Sequence, residues 1–499
     1  MSLLARKHQH RAKRPADPLP KLDPVALDEL GMTQAEVEAF ARKLHGWVVL
    51  PGMPDYPAAA APHAAPRWPA YPQIIVFCEV YEDVRLCIEL AREKALWAVP
   101  RSGRHSLANF STCSGMIIDV SLLNGIAVDP VAKTARVGAG ANFGLLNEVL
   151  DAYGLHVPGG TCADVGVAGF MQGGGYGLTS RRFGIGSDNI VGVTVMLADG
   201  SIVEAAEDND HRDLWWAVRG GTGNQFGIVL EFTFKLVELA SVWSFELRWT
   251  LEDAPAALDA IQRHYMRNAD NADVGYLVVM ATLTDPVTQV AKPWLLMIGL
   301  YSGTPADGLR ALRPLLDVGS PQFSNQSGTY NVLNDACLAV LPGPGLPTTM
   351  EAKRSGYVAT PVGVEGWKAL VTYFATTPNP YNIMYLEPYG GAATSYPQGD
   401  SAFIHREVDF DFGVDSFWDP TWPDCDEETA LSWLAGFFGV VEPFLNGEMY
   451  QNYPVRDLPD YREQYWGDAF DELLRIKRHY DPDGFFRFEQ SITPALPRS

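Results

Sequence analysis

Two side chains able to act as nucleophiles stand in glycine-rich turns. Cys162 lies in "PGGTCADVGVAGFMQGGGYG", and His105 lies in "PRSGRHSLANFS". Glycine at this density lets backbone press against a ligand or turn sharply. A thiol or an imidazole held at such a place can attack an electrophilic carbon. Taken singly, each has a plainer reading: a buried cysteine is usually a small hydrophobe, and a lone histidine is usually a packed or surface side chain. Two more glycine-rich turns, "GAGANFG" (138–144) and "RGGTGNQFG" (219–227), come from distant parts of the chain. The first is spaced G-x-G-x-x-x-G, one residue too long for a dinucleotide fingerprint. It also lacks an acidic residue placed for a ribose hydroxyl. Several such loops together fit one extended anionic ligand whose phosphates are wrapped by backbone N–H groups. Ionisable side chains lie further on. "NIMYLEPYGGA" carries Glu387, which on a strand shares a face with Tyr385, opposite Met384 and Leu386. "MYQNYPV" carries Tyr450 and Tyr453.

These groups need a large scaffold. The chain has 499 residues, too many for one compact core, so two domains are expected. Apolar residues make up 47%, and the net charge of −22 speaks against nucleic acid as a partner. The six cysteines are scattered, without CxxC pairs or histidines at metal spacing, so neither disulfides nor a metal site is expected. Reduced thiols point to a cytoplasmic protein. No apolar run is long enough to span a membrane. The N-terminus, "MSLLARKHQHRAKRPADPLPKLDP", is basic and then Pro-rich and lacks a signal-type apolar region. It reads as a disordered tail, with a basic docking arm as the lesser reading.

Residues 25–46 have helical spacing, and "PGMPDYPAAAAPHAAPRWPAYP" reads as a connector. "QIIVFCEV", "YEDVRLCIELAREKAL" and "WAVP" alternate strand, helix and strand, and "NIVGVTVMLADGSIVEAA" reads as a hairpin turning at Asp199-Gly200. Beyond about residue 240, "VWSFELRWTL", "VGYLVVMATL" and "PWLLMIGLYSG" read as long strands of an antiparallel sheet, with helices such as "APAALDAIQRHYMRNA" between them.

The His105 block, the Cys162 block through "GLTSRRFGIGSDNIV", and the terminal "NYPVRDLPDYREQYWGDAFDELLRIKRHYDPDGFFRFEQSI" occur in this order. Together they resemble the berberine-bridge-enzyme-like branch of the vanillyl-alcohol-oxidase flavoprotein superfamily, over about residues 40–495. The resemblance implies an α+β fold. A PCMH-type FAD-binding domain in two subdomains (40–240) follows a tail and helix (1–39). A substrate domain with an antiparallel sheet and flanking helices spans 241–449, and a C-terminal segment (450–499) returns to the FAD domain. It implies FAD bound twice: through the 8α-methyl carbon to His105 and through ring carbon 6 to Cys162, by a neutral imidazole and a thiolate. Around the cofactor it places Arg101, Ser102, Gly103, Arg104, Ser106, Gly160, Thr161, Val165, Gly166, Gly169, Gly173, Gly174, Tyr176, Gly177, Gly227, Ile228, Tyr453 and Gln490. Two positions depart from the family. Arg104 replaces a usual glycine and either approaches the pyrophosphate or crowds the loop. Phe170 replaces a frequent histidine near flavin N1, which bears on redox tuning.

The resemblance also implies a reaction. Val165 occupies the family's oxygen-gating position, where valine goes with oxidases and leucine with dehydrogenases. Tyr453 matches a catalytic base. A free tyrosine has a pKa of about 10 and needs support to accept a proton near neutrality. Glu387 is the other candidate base, or a group that tunes Tyr453; Tyr450 is a third catalytic candidate or a packing residue. Asp409 and Asp411 share a strand face in "FIHREVDFDFGVDSFWDP". The expected function is two-electron oxidation of an alcohol, amine or activated C–H of a bulky substrate, such as a secondary metabolite or glycoside. Dioxygen accepts the electrons and gives hydrogen peroxide. Partners are thus a small molecule and O2, with no nucleic acid or membrane, in a monomer or homodimer. Alternatives are an oligosaccharide C1 oxidase, a dehydrogenase of the same fold, and a non-catalytic flavin- or ligand-binding protein.

Overall fold

The computed structural model describes residues 19–64, 67–266, 271–285, 288–341, 343 and 348–493. The basic N-terminal tail lies outside them. The helical stretch expected over 25–46 is two helices. Pro24–Leu30 starts at Asp23, whose carboxylate accepts from the Val25 N–H, and stops at Gly31 in the left-handed region (φ 64°). Gln34–Ala41 then starts with a reciprocal cap between Thr33 and Glu36. The Pro/Ala connector holds a short helix, Tyr56–Ala60.

Ile74–Phe77 is wholly buried and runs parallel to Met116–Asp119, which is in turn parallel to Ala98–Arg101. Trp47–Val49 adds an antiparallel edge, giving a four-stranded sheet. The parallel pairing requires a crossover, supplied by the helix Tyr81–Glu93, whose Val84, Cys87, Ile88 and Ala91 are buried. A second, five-stranded sheet is antiparallel throughout, and its hairpin Ile190–Met196 with Ile202–Ala206 turns at Asp199-Gly200 as expected. One apolar core joins both sheets and takes in Tyr465, Trp466, Leu473 and Ile476. The chain's last segment is therefore part of this unit.

The remaining unit is a seven-stranded antiparallel sheet in the order Gln322–Gly328, Val242–Trp249, Ala291–Tyr301, Val274–Thr284, Ile383–Pro388, Phe410–Trp418, Met350–Val358. Side-chain alternation gives it two different faces. Val278, Met280, Met384, Leu386, Phe412 and Val414 pack against the helices Ala254–Tyr265, Gly363–Phe374 and Glu427–Val441. Leu277, Val279 and Tyr385 point the other way and pack with Leu178 of the first unit. Between that second face and the glycine loops lies a cavity of about 500 Å³. Among the described residues, no helix is long and apolar enough to cross a membrane. All six cysteines are free.

Candidate active site

The loop carrying His105 leaves the strand Ala98–Arg101 and is pinned from below. Arg101, fully buried, donates to the Asp119 carboxylate at 2.9 Å and to the Ala59 carbonyl at 2.7 Å. The Cys162 loop docks onto it backbone to backbone. A Cβ added to Gly103 would lie 2.1 Å from the Gly166 nitrogen, and one on Gly166 would lie 2.5 Å from the Gly103 nitrogen. Glycine at both positions therefore sets the spacing that brings His105 and Cys162 to one cavity wall.

With them, Ser102, Gly103, Ser106, Gly160, Thr161, Val165, Gly166, Gly169, Tyr176, Gly177, Gly227, Ile228 and Gln490 line the cavity. Gly173, Gly174 and Tyr450 do not. Gly173 packs under Asn452 and Gly174 against Phe403, because the chain there turns away behind the cavity wall. Tyr450 is buried, and its hydroxyl accepts from the backbone N–H groups of Gly175 (2.9 Å) and Tyr176 (3.2 Å), so it braces the loop. Arg101 and Arg104 reach the wall, but their guanidinium groups are held elsewhere: Arg104 donates to the Ala58 carbonyl at 2.9 Å and lies 3.7 Å from Asp119. Arg104 has a left-handed backbone (φ 67°), the conformation glycine adopts most easily. Phe170 meets Phe143 edge-on, ring centroids 4.8 Å apart.

Burial lowers the His105 pKa, with the nearby Asp164 opposing, so its imidazole is neutral at physiological pH. Cys162 is exposed, but to the cavity and deep within the protein. Burial, with Asp164 adding to it, pushes its pKa up to about 11. The thiolate expected there is therefore not supplied by these surroundings; the resting thiol keeps its proton.

The sheet face opposite carries the acid–base groups. Tyr453 donates its hydroxyl proton to Glu387 Oε1 at 2.9 Å. Burial raises Glu387 to about 7, while the Tyr453 bond and Lys353 pull it down. Glu387 is thus a cavity wall residue, not a surface carboxylate at a strand end. Burial, then the Glu387 charge, holds Tyr453 well above its ordinary value, so it is a neutral phenol. Lys353 donates to the Tyr385 hydroxyl at 3.0 Å, lies 2.5 Å from Asp415, and sits 4.8 Å from the centre of the Tyr453 ring. Burial opposes its charge, but Asp415 and Glu351 outweigh that and raise its pKa. Glu351 is pushed up to about 7 by burial and by Asp415. Asp411 is raised by burial and then by Glu387. Asp409 does not join it: lying ahead of the strand, it accepts from Gln262 of the helix layer at 3.0 Å.

Lys353, Glu351 and Asp415 were not singled out from the sequence. The detectable signal was alternation in "MEAKRSGYV", which puts Glu351 and Lys353 on one face; register with Asp415 comes only from the sheet. His63 and Asp164 were also missed. They gather with His105 so that the possible ligand atoms of all three lie within 4.8 Å of one another, a group able to hold a metal. Local spacing could not show this, since three separate loops contribute.

A family model described as "FAD binding domain" matches residues 72–206, and one described as "Berberine and berberine like" matches residues 449–493. The uncharacterized FAD-linked oxidoreductase YgaK of Bacillus subtilis is 31% identical over 468 residues, covering 92% of this chain and 98% of its own. A monolignol oxidoreductase of Arabidopsis thaliana is 28% identical, with 84% of each chain covered. The solved structure of Physcomitrella patens BBE-like 1 superposes with a TM-score of 0.80 at 26% identity, covering 92% of this chain and 99% of the other. The cavity fits FAD on its own chemistry. Close-packed glycine backbone from several loops faces it, and polar atoms on its lining residues, Asn224 Oδ1 and Glu387 Oε2 among them, are buried without a hydrogen-bond partner in the protein. The first family model takes in the His105 and Cys162 loops and the second the C-terminal segment folded back onto them, and this chain belongs to the berberine bridge enzyme-like family of FAD-linked oxidoreductases.

Proposed function

We propose that the protein is an oxidase with FAD joined to both His105 and Cys162, and that it oxidises an alcohol carbon of a bulky secondary metabolite or glycoside. FAD held in this cavity would supply a hydride acceptor and a route for the electrons to dioxygen as hydrogen peroxide. The observation that carries the reading is the Tyr453–Glu387 hydrogen bond on the wall facing His105 and Cys162. Tyr453 cannot wait as a phenolate, because burial and the Glu387 charge oppose it. It can accept the substrate's hydroxyl proton only as it gives its own to Glu387. The two candidate bases are then one relay: Tyr453 touches substrate, and Glu387 stores the proton. Lys353, close to both tyrosine rings, steadies negative charge that develops there.

Relatives support the breadth of substrate. Those of similar sequence or fold include the monolignol oxidoreductase, a chitooligosaccharide oxidase and berberine bridge enzyme itself. The Lys353–Asp415–Glu351 floor offers donors and acceptors suited to a hydroxylated molecule. The test is the intact mass of the acid-denatured protein, followed by mapping of its flavin-bearing peptides and a substrate screen by peroxide release. One FAD bridging the His105 and Cys162 peptides is expected, with reduced enzyme reoxidised rapidly by air. Free flavin on denaturation, or a reduced enzyme stable in air, refutes the bicovalent and the oxidase parts respectively.

A further inference from the structure

His105 does not stand alone on its wall. The His63 ring stacks on it, centroids 3.7 Å apart and planes 23° from parallel. One oxygen of Asp164, two residues beyond Cys162, lies 3.3 Å from His63 Nδ1 and 3.4 Å from His105 Nε2. The His105 contact is not a formed hydrogen bond, and Nε2 has no other protein partner. His63 comes from the Pro/Ala connector, far from either glycine loop in sequence. Arg104 holds it there: the His63 N–H donates to the Arg104 carbonyl at 3.0 Å, and the Arg104 guanidinium donates to the carbonyls of Ala58 at 2.9 Å and Ala61 at 3.3 Å. The residue that departs from the family's usual glycine is thus the clamp that seats His63. A left-handed backbone is one that glycine adopts far more easily than arginine, so the position is occupied against a local preference.

We propose that Asp164 and His63 are positioning residues for His105: they orient its ring and accept its proton when the histidyl bond to the flavin forms. This rests on the bicovalent reading above. The bond joins an imidazole nitrogen of His105 to the methyl carbon at flavin ring position 8. That methyl gives up one proton, and the imidazole gives up its N–H proton. The electron pair left behind stays on the flavin ring until dioxygen removes it as hydrogen peroxide. With Nε2 turned to Asp164, the N–H belongs on Nε2 and the lone pair on Nδ1, which makes Nδ1 the attacking atom. Asp164 then receives the Nε2 proton. His63 shares the same carboxylate oxygen and keeps it in place by stacking.

The experiment follows attachment, not turnover. Full-length protein made in riboflavin-starved cells is given FAD in air, and His105- and Cys162-linked peptides are quantified over time by mass spectrometry. Asp164→Ala should slow the His105 bond by about a hundredfold, the range of a positioned proton acceptor, while FAD still binds and still links to Cys162. Asp164→Glu should restore it to within tenfold, which a merely structural role would not do. His63→Ala and Arg104→Gly should slow it in the same direction, and they carry the test if Asp164→Ala fails to fold. Wild-type rates in His63→Ala and Arg104→Gly would overturn the proposal, as would a wild-type rate in Asp164→Ala. A wild-type protein that binds FAD without a His105 bond, or that carries a stoichiometric metal ion on the three side chains, overturns it while leaving FAD-dependent oxidation standing. A wild-type protein that binds no FAD refutes both readings.

Discussion

Glu387→Gln isolates the proton relay from everything else in the site. Glutamine keeps the size of the side chain and can still accept the Tyr453 hydrogen bond now 2.9 Å long, but it cannot take the proton. Glu387 has a pKa of about 7, first because of burial. In the wild type, flavin reduction should therefore slow about tenfold for each pH unit below 7 and level off above it, since only the carboxylate accepts. Loss of a positioned proton acceptor costs about 10²–10⁴-fold, or about 3–5 kcal/mol of transition-state stabilisation. Anaerobic stopped-flow reduction across pH 5–9 reads both quantities in the flavin absorbance. The variant should be slower by that factor at pH 8 and should lose the limb near pH 7, with FAD content unchanged. Tyr453→Phe should show a similar loss, because it removes the link between substrate and store. The groups near Glu387, namely Lys353, Asp415 and Asp411, remain in both variants and control for a general change in field. If Glu387→Gln reduces flavin within threefold of wild type and keeps the limb near pH 7, Glu387 is not the proton store and the relay is wrong.

Four further outcomes follow from the geometry. Gly103→Ala puts a methyl 2.1 Å from the Gly166 nitrogen, so the two loops must part; covalent flavin should fall several-fold and the melting temperature should drop. Asp119→Ala leaves Arg101 charged and buried without its 2.9 Å partner, which should cost about 3–5 kcal/mol in denaturant unfolding. Glu351 is raised to about 7 by burial, so its protonated form stabilises the fold fully below its unfolded value of 4.5, and that contribution is lost as pH rises through 7. Glu351→Gln should therefore gain stability over wild type on the order of 3 kcal/mol at pH 8 and almost none at pH 4.5, checked by melts at both. Val165→Leu should slow reoxidation by dioxygen while leaving anaerobic reduction unchanged; equal reoxidation rates would show that Val165 only packs the loop.

Much of the scaffold was legible because it is written locally. Alternation along "NIMYLEP" put Tyr385 and Glu387 on one face and Met384 and Leu386 on the other; the structure packs the second pair against the helices, buries Tyr385 on the opposite face and brings Glu387 to the cavity. The hairpin turn at Asp199-Gly200 is equally local. The helix expected over 25–46 was divided because its apolar spacing continues through Gly31, and the left-handed stop there outweighs the period. Tyr450 was placed among the catalytic candidates because it shares a motif with Tyr453. Which of the two lines the cavity is decided by how the segment turns after Gln451, a tertiary matter.

The least legible parts are those where distant segments meet, and the chemistry concentrates there. Lys353 acquires Tyr385 and Asp415 as partners from strands 32 and 62 residues further along the chain, through sheet register that no local pattern encodes. His63 sits in a stretch whose composition announces only a connector. Arg104, read from sequence as a contact for pyrophosphate or an obstruction, turns its guanidinium to that connector instead. A glycine there could fold the same turn with less strain but could not hold the connector by its side chain. The substitution therefore exchanges local ease for a second imidazole beside His105. Its effect should be sought in how the cofactor becomes attached, a step that a turnover assay on finished enzyme does not see.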